Sequence, residues 1–245
     1  PTGCMFIFYS QKKPLIDDRV KNVIVWVKNN WAAGDLEGDF GKLNKDQEEI
    51  LTKTYGTNEN LEALISEFLD VSKLEIGRLE LSLKSITLAD LEKEIRGRVE
   101  ALRPLAKEKK ITINERSLLD YKLSAPIDLK RINQVIESLL ENAITYTPAG
   151  GKIEIFLEND KNNSKFSISD SGIGIPEKEQ SKMFSKFFRA TNARKLQSTG
   201  SGLGLYLCKK FIEGHQGKIW FSSEERKGTT FSFTIPLRAK FEIEE

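Results

Sequence analysis

Near residue 80 the spacing of apolar residues changes, and with it the kind of structure the chain can form. Between residues 15 and 31, Ile16, Val20, Val23, Ile24, Val27 and Trp31 recur at helical intervals, with Val25 and Trp26 widening the stripe, so one long helix is predicted. A turn-rich run follows over residues 33–41. A second helical pattern covers about residues 44–75, where Leu51, Thr54, Asn58, Leu61, Ile65 and Phe68 step by three and four in the manner of a coiled-coil seam. Two long helices cannot cover their own apolar stripes. A second copy of the hairpin would cover them in a four-helix bundle across a homodimer axis, and packing against the rest of the same chain is the other way to bury them.

Beyond residue 78 the period alternates. Residues 79–83, 111–114, 152–158, 165–170, 218–222 and 229–235 show the two-residue alternation of half-buried strands, clearest in Phe231, Phe233 and Ile235. Helices are predicted at about residues 87–108, 127–146 and 202–214. Such a series closes as one sheet with helices on a single face. The chain therefore reads as an α+β protein, a helical dimerization hairpin over residues 1–76 followed by a two-layer α/β sandwich over residues 77–245. Its 245 residues, 39% of them hydrophobic, suffice for one or two domains.

Charge excludes some partners. The 38 basic and 36 acidic residues leave a formal +2, which gives no long-range field to gather nucleic acid or an anionic membrane. The apolar run from Met5 to Tyr9 is far shorter than the roughly 20 residues that cross a bilayer. Cys4 and Cys208 lack metal-ligand spacing and read as free thiols in a reducing, cytoplasmic compartment.

Three segments of the second half carry chemistry. At 100° per residue, Ile132, Val135, Ile136, Leu139, Leu140 and Ala143 gather on one helix face, with Ser138, Asn142 and Thr145 as a polar stripe beside it and Glu141 turned to solvent. The half-sheltered amide of Asn142 suits Mg²⁺ that keeps its waters and bridges phosphates, or a bond to a neighbouring loop. Asp170 ends a strand in which Phe166 and Ile168 face the core, so period two turns its carboxylate inward, where it needs a donor. The exocyclic amine of adenine is one, and local turn amides are another. Gly172 and Gly174 in Asp170-Ser171-Gly172-Ile173-Gly174-Ile175-Pro176 let backbone approach a flat ring. The third segment, Gly200-Ser201-Gly202-Leu203-Gly204-Leu205, opens a helix and offers free amides and a positive dipole end to phosphate, although it has neither the P-loop nor the Rossmann pattern. Between the glycine runs, Phe184, Phe187, Phe188 and Arg189 precede a polar stretch, residues 191–199, that suits a lid. Together these segments describe an ATP site.

In order and spacing, Leu139-Leu140-Glu141-Asn142-Ala143-Ile144, Asp170 to Pro176, Phe184-Ser185-Lys186-Phe187-Phe188-Arg189 and Gly200 to Leu205 resemble the N, G1, F and G2 boxes of bacterial sensor histidine kinases, members of the ATPase superfamily of gyrase, Hsp90 and MutL. Phe68 to Glu75 is similar to the end of that family's dimerization hairpin. The resemblance implies ATP with Mg²⁺ as cofactors and Asn142 as the metal ligand. It implies Tyr146 and Asp170 at the base, Gly172, Gly174, Gly200, Gly202, Leu203 and Gly204 shaping the pocket, and Arg189 approaching the phosphates. It further implies a homodimer, a response regulator receiver domain as partner, and two-component phosphotransfer from ATP to histidine, with any membrane anchor of a full-length protein outside these residues.

The sequence departs from the family at the acceptor. Its single histidine is His215, in Glu213-Gly214-His215-Gln216-Gly217, which reads as a structural turn residue, while the nearest remnant of an acceptor box, Tyr9 to Leu15, has no imidazole. Ser138 and Thr145 stand where the family usually has Asn and often has Lys. Beside the kinase reading stand a silent pseudokinase that signals by conformation and an ATPase clamp of the gyrase or Hsp90 type.

Overall fold

The computed structural model describes residues 45–237, so the helix predicted over residues 15–31, the acceptor-box remnant and Cys4 lie outside the described residues. The chain divides into two compact units, residues 1–77 and 78–245. In the first, α1 (Lys45–Glu75) runs for 31 residues. It stops at Gly77, whose φ of +64° lets its N–H reach the carbonyl of Leu74 at 3.1 Å, a left-handed cap that a side chain would oppose. Leu61, Leu64 and Phe68 remain exposed on it.

The second unit contains β1 (Lys84–Thr87), α2 (Leu88–Glu108), β2 (Thr112–Leu118), β3 (Ser124–Ile127), α3 (Leu129–Tyr146), β4 (Lys152–Asn159) and β5 (Asn163–Asp170). After them come the short helices α4 (Glu177–Gln180) and α5 (Thr191–Leu196), then α6 (Gly204–Gly214), β6 (Lys218–Glu224) and β7 (Gly228–Pro236). Five strands form a mixed sheet in the order β2-β4-β5-β7-β6, with β2 parallel to β4 and the remaining pairs antiparallel. Alternation decides its faces. Ile153, Ile155 and Leu157 of β4, Phe166 and Ile168 of β5 and Phe231, Phe233 and Ile235 of β7 are buried in register, and Phe166 stacks on Phe233 at 5.1 Å. The apolar faces of α2, α3 and α6 supply the other half of this core, including Ile95, Ile132, Val135, Leu139 and Phe211. The predicted two-layer arrangement is present.

Its edges differ from the sequence reading. Residues 79–83 are not a strand. Leu79 and Leu81 alternate inward, but Leu81 lies along α6 against Gly214, and the Ser82 N–H donates to the Asp128 carboxylate at 3.0 Å instead of to a neighbouring strand. Pairing starts at Lys84, where β1 joins β3 in a separate two-stranded sheet, so the fold has two sheets instead of one. Ile127 belongs to β3, and α3 begins after Asp128, whose side chain caps it by accepting from the Arg131 N–H at 3.2 Å.

His215 fixes that cap from a distance. It is buried, its Nδ1 pairs with the Phe211 carbonyl at 2.7 Å, and its Nε2 accepts from the Asp128 N–H at 3.0 Å, which requires the proton on Nδ1. Burial lowers its pKa, against the opposing pull of the Phe211 carbonyl and the Asp128 carboxylate. A folded pKa below the usual imidazole value of about 6.5 means that the stabilisation is complete above that pH and is lost as pH falls through the folded value. The thermal midpoint is therefore expected to drop on acidification from pH 7 to 5 more steeply in the wild type than in His215→Asn. Parallel slopes in calorimetric melts would disprove this.

Candidate nucleotide site

On α3, Ser138, Asn142, Thr145 and Tyr146 are half-buried along one edge and Glu141 is exposed, as the helical angle predicts. Within the described residues the Asn142 amide makes no hydrogen bond, so both of its polar atoms are available to a ligand. The Tyr146 carbonyl accepts from the Ile173 N–H at 3.1 Å, which pins the first glycine turn to the end of this helix.

Asp170 closes β5 between Ile153 of β4 and Thr229 of β7. Its Oδ1 accepts from the Gly172 N–H at 2.8 Å and the Thr229 N–H at 3.3 Å, and Oδ2 takes no hydrogen bond within the described residues. Burial pushes the carboxyl up to about 6 against the pull of those two amides. The result is a sheltered acceptor oxygen with one unshared side. Gly172 beside it has no room for a side chain, since a Cβ there would lie 2.5 Å from Asp170 Oδ1 and 2.6 Å from the Tyr146 carbonyl oxygen. Gly174, at φ +63°, is packed against the Glu224 carbonyl.

Sequence reasoning missed two neighbours. Thr229 supplies the second amide to Asp170, and Gly228, at φ +111°, presses against the Asp170 carbonyl. Their one local signal is a glycine in a charged turn directly before an alternating strand.

The second glycine run packs against Phe187 and Arg189. Gly200 and Gly202 take φ of +128° and +70°, which keeps them out of the helix, so α6 begins at Gly204 and not at residue 202. A Cβ on Gly202 would lie 2.7 Å from the Phe187 carbonyl carbon, so the F-box backbone rests on this turn. Leu203 is buried at the N-cap and gives no side-chain cap, leaving first-turn amides for another acceptor. Arg189 donates to the carbonyls of Gln197 at 2.6 Å, Ser198 at 3.1 Å and Gly200 at 3.5 Å, and so ties the end of the 191–199 segment to the second glycine run. The polar stretch predicted as a lid carries α5, and Asn192 of α5 donates to the Gly174 carbonyl at 2.9 Å, joining lid to first glycine turn.

A cleft of about 500 Å³ opens between Leu105 of α2 and its C-cap Lys109, Thr145 at the end of α3, Ile173 of the first glycine turn, and Leu196 of α5 with its C-cap Gln197. This lies within the roughly 300–1,000 Å³ of small-ligand pockets. Asn142, Asp170 and the second glycine run do not line it. The donor set fits a magnesium nucleotide. Asp170 Oδ2 matches an amine donor, Gly172 and Gly174 let the turn backbone pack against Tyr146 and Glu224 around the acid, and α6 offers amides to phosphate. Among the described residues no group of three or more His, Cys, Asp and Glu could hold a metal, so a cation here would rely on the Asn142 amide, phosphate oxygens and water.

A mixed sheet carrying an inward acid, two glycine turns and a lid between them defines an ATPase domain of the type shared by histidine kinases, gyrase and Hsp90. Residues 127–239 match the family described as "Histidine kinase-, DNA gyrase B-, and HSP90-like ATPase". The circadian input-output histidine kinase CikA of Synechococcus elongatus is 32% identical over 212 residues, 84% of this chain and 27% of that protein. The sensor histidine kinase WalK of Bacillus subtilis is 33% identical over 202 residues, 81% of this chain and 32% of that protein. The catalytic domain of histidine kinase ThkA superposes with a TM-score of 0.55 at 32% identity, covering 64% of this chain and 98% of that domain. The chain belongs to the sensor histidine kinase family, and it spans about a third or less of the length of these two curated relatives.

Proposed function

We propose that this chain is the ATP-binding transmitter region of a bacterial sensor histidine kinase, a homodimer in which residues 1–76 form the dimerization hairpin and residues 77–245 hold ATP with Mg²⁺. The observation that carries this reading is the unshared Oδ2 of Asp170 in a frame of glycines. Asp170 accepts the adenine amine, Tyr146 flanks the ring, and Asn142 holds the metal. Gly172, Gly174, Gly200, Gly202, Leu203 and Gly204 shape the backbone around base and phosphates, and Arg189 turns from the lid carbonyls to the phosphates. ATP supplies the phosphoryl group, which in this family passes to an imidazole and then to the receiver domain of a response regulator in the cytoplasm. The exposed Leu61, Leu64 and Phe68 of α1 support a bundle with a second copy. Among the described residues no helix is long and apolar enough to cross a membrane.

His215 is not the acceptor, because both of its ring nitrogens are engaged and it is buried. No other histidine exists in these 245 residues. Incubated with γ-labelled ATP and Mg²⁺, the chain is expected to bind nucleotide and to carry no acid-labile label. Acid-labile phosphohistidine on the chain would overturn the acceptor argument, and absence of Mg·ATP binding in calorimetry would overturn the site.

A further inference from the structure

The last four carbonyls of a helix have no partner within it, and at the end of α3 every one of them is taken. The Ala143 carbonyl accepts from the N–H and the Oγ1 of Thr147, at 3.1 and 2.6 Å. The Tyr146 carbonyl accepts from Ile173 N–H. The two between them, Ile144 and Thr145, both accept from one amine, Lys109 Nζ, at 2.7 and 2.8 Å. Lys109 is the C-cap residue of α2, and its own carbonyl accepts from the Gly150 N–H at 3.0 Å, so it grips the α3–β4 connection from two sides. Among the described residues its side-chain bonds go to carbonyls alone, and a cation at the negative end of a helix is the favourable charge for that place. Burial lowers its pKa, which marks an amine drawn out of water and not a solvated surface lysine. The turn of α3 that it closes ends on Tyr146, one turn beyond Asn142.

We infer that Lys109 is a positioning residue for the nucleotide, a cation supplied by α2 that fixes the last turn of α3 and through it the Tyr146 wall and the first glycine turn. The inference rests on the proposed nucleotide site. It names a role for the C-terminal end of α2, which otherwise contributes only cleft-lining residues such as Leu105. Because Lys109 acts on the purine end through backbone, it affects ATP and ADP equally and leaves the Asn142 metal contact alone.

The test compares the full chain with Lys109→Met, which keeps the stem and removes the charge, and Lys109→Arg, which restores a cation. In Lys109→Met the dissociation constants of Mg·ATP and Mg·ADP are expected to rise together by about 5- to 10-fold, from the loss of a partly buried charge at a helix terminus. Lys109→Arg is expected to recover most of this. Amide hydrogen exchange over residues 141–147 of the nucleotide-free chain is expected to speed up in Lys109→Met and to return in Lys109→Arg. Unchanged exchange over that segment overturns the inference. So does a loss confined to ATP, which would indicate direct phosphate contact, and so does a fall in melting temperature with both affinities intact. Should Lys109→Met fail to fold, Lys109→Gln, which keeps one donor group, is read by the same criteria. If the wild type binds neither nucleotide, the functional reading fails and the exchange rates alone judge the anchor.

Discussion

Asp170→Asn is expected to weaken Mg·ATP binding by at least about 100-fold while leaving the melting temperature of the nucleotide-free chain unchanged or higher, since hydrogen bonds to a buried carboxylate are worth about 1.5–3 kcal/mol and the substituted amide presents a donor to the adenine amine. The two effects have opposite sign for one reason. The site holds an acid whose charged form is disfavoured by burial, with a pKa raised to about 6, and Asn keeps an oxygen for the Gly172 and Thr229 amides while removing that charge. A folded pKa above the unfolded value of about 3.9 means that the fold gains stability as pH falls from about 6 toward 4 and loses it as pH rises through 6. With each unit worth about 1.4 kcal/mol and solvent reaching part of the group, the ionised carboxylate at pH 7 costs on the order of 2 kcal/mol. Nucleotide binding should follow the opposite course and weaken below pH 6, where the carboxylate becomes protonated. Calorimetric titrations from pH 5 to 8 with parallel thermal melts check both. Undiminished affinity in Asp170→Asn would remove Asp170 from the site, and a lower melting temperature would show that its charge is compensated in the fold.

Local patterns told where this acid points. Period two in β5 set Asp170 on the side of Phe166 and Ile168, and the 100° step in α3 separated Asn142 from Glu141, because burial of one face imposes the same period on sequence and structure alike. Contacts between distant segments were not legible. Lys109 meets Ile144 across 35 residues and His215 meets Asp128 across 87, and no spacing rule links such pairs. β3 was missed because four residues containing Pro126 give too short an alternation, and residues 79–83 read as a strand because Leu79 and Leu81 turn inward without a strand beside them. The glycines of the two boxes stood out through clustering. Gly228 stands alone in its turn, and only the register of β5 on β7 brings it to the acid.

Gly228→Ala is expected to destabilise the second unit by about 3 kcal/mol or more, since it adds a strained left-handed backbone to an overlap between main-chain atoms that no rotamer relieves. At Gly228 φ is +111°, and a Cβ there would overlap the Asp170 carbonyl and lie 3.1 Å from the Gly172 nitrogen. Relief requires β7 to move away from the end of β5. That movement withdraws the Thr229 N–H from Asp170 Oδ1 and displaces the first glycine turn, so nucleotide affinity should fall along with stability. Gly150→Ala separates the two contributions, because its φ of +79° is also left-handed while nothing lies within 4 Å of a Cβ placed there. Backbone strain alone should make that variant milder, by about 1 kcal/mol. In thermal melts Gly228→Ala is expected to lose roughly 6–12 °C and Gly150→Ala about a third of that, from the 2–4 °C per kcal/mol typical of domains of this size. Equal losses in the two variants would show that strain, and not contact with the Asp170 backbone, governs the position, and the packing of β7 on the purine end of the site would then have no role in holding the acid.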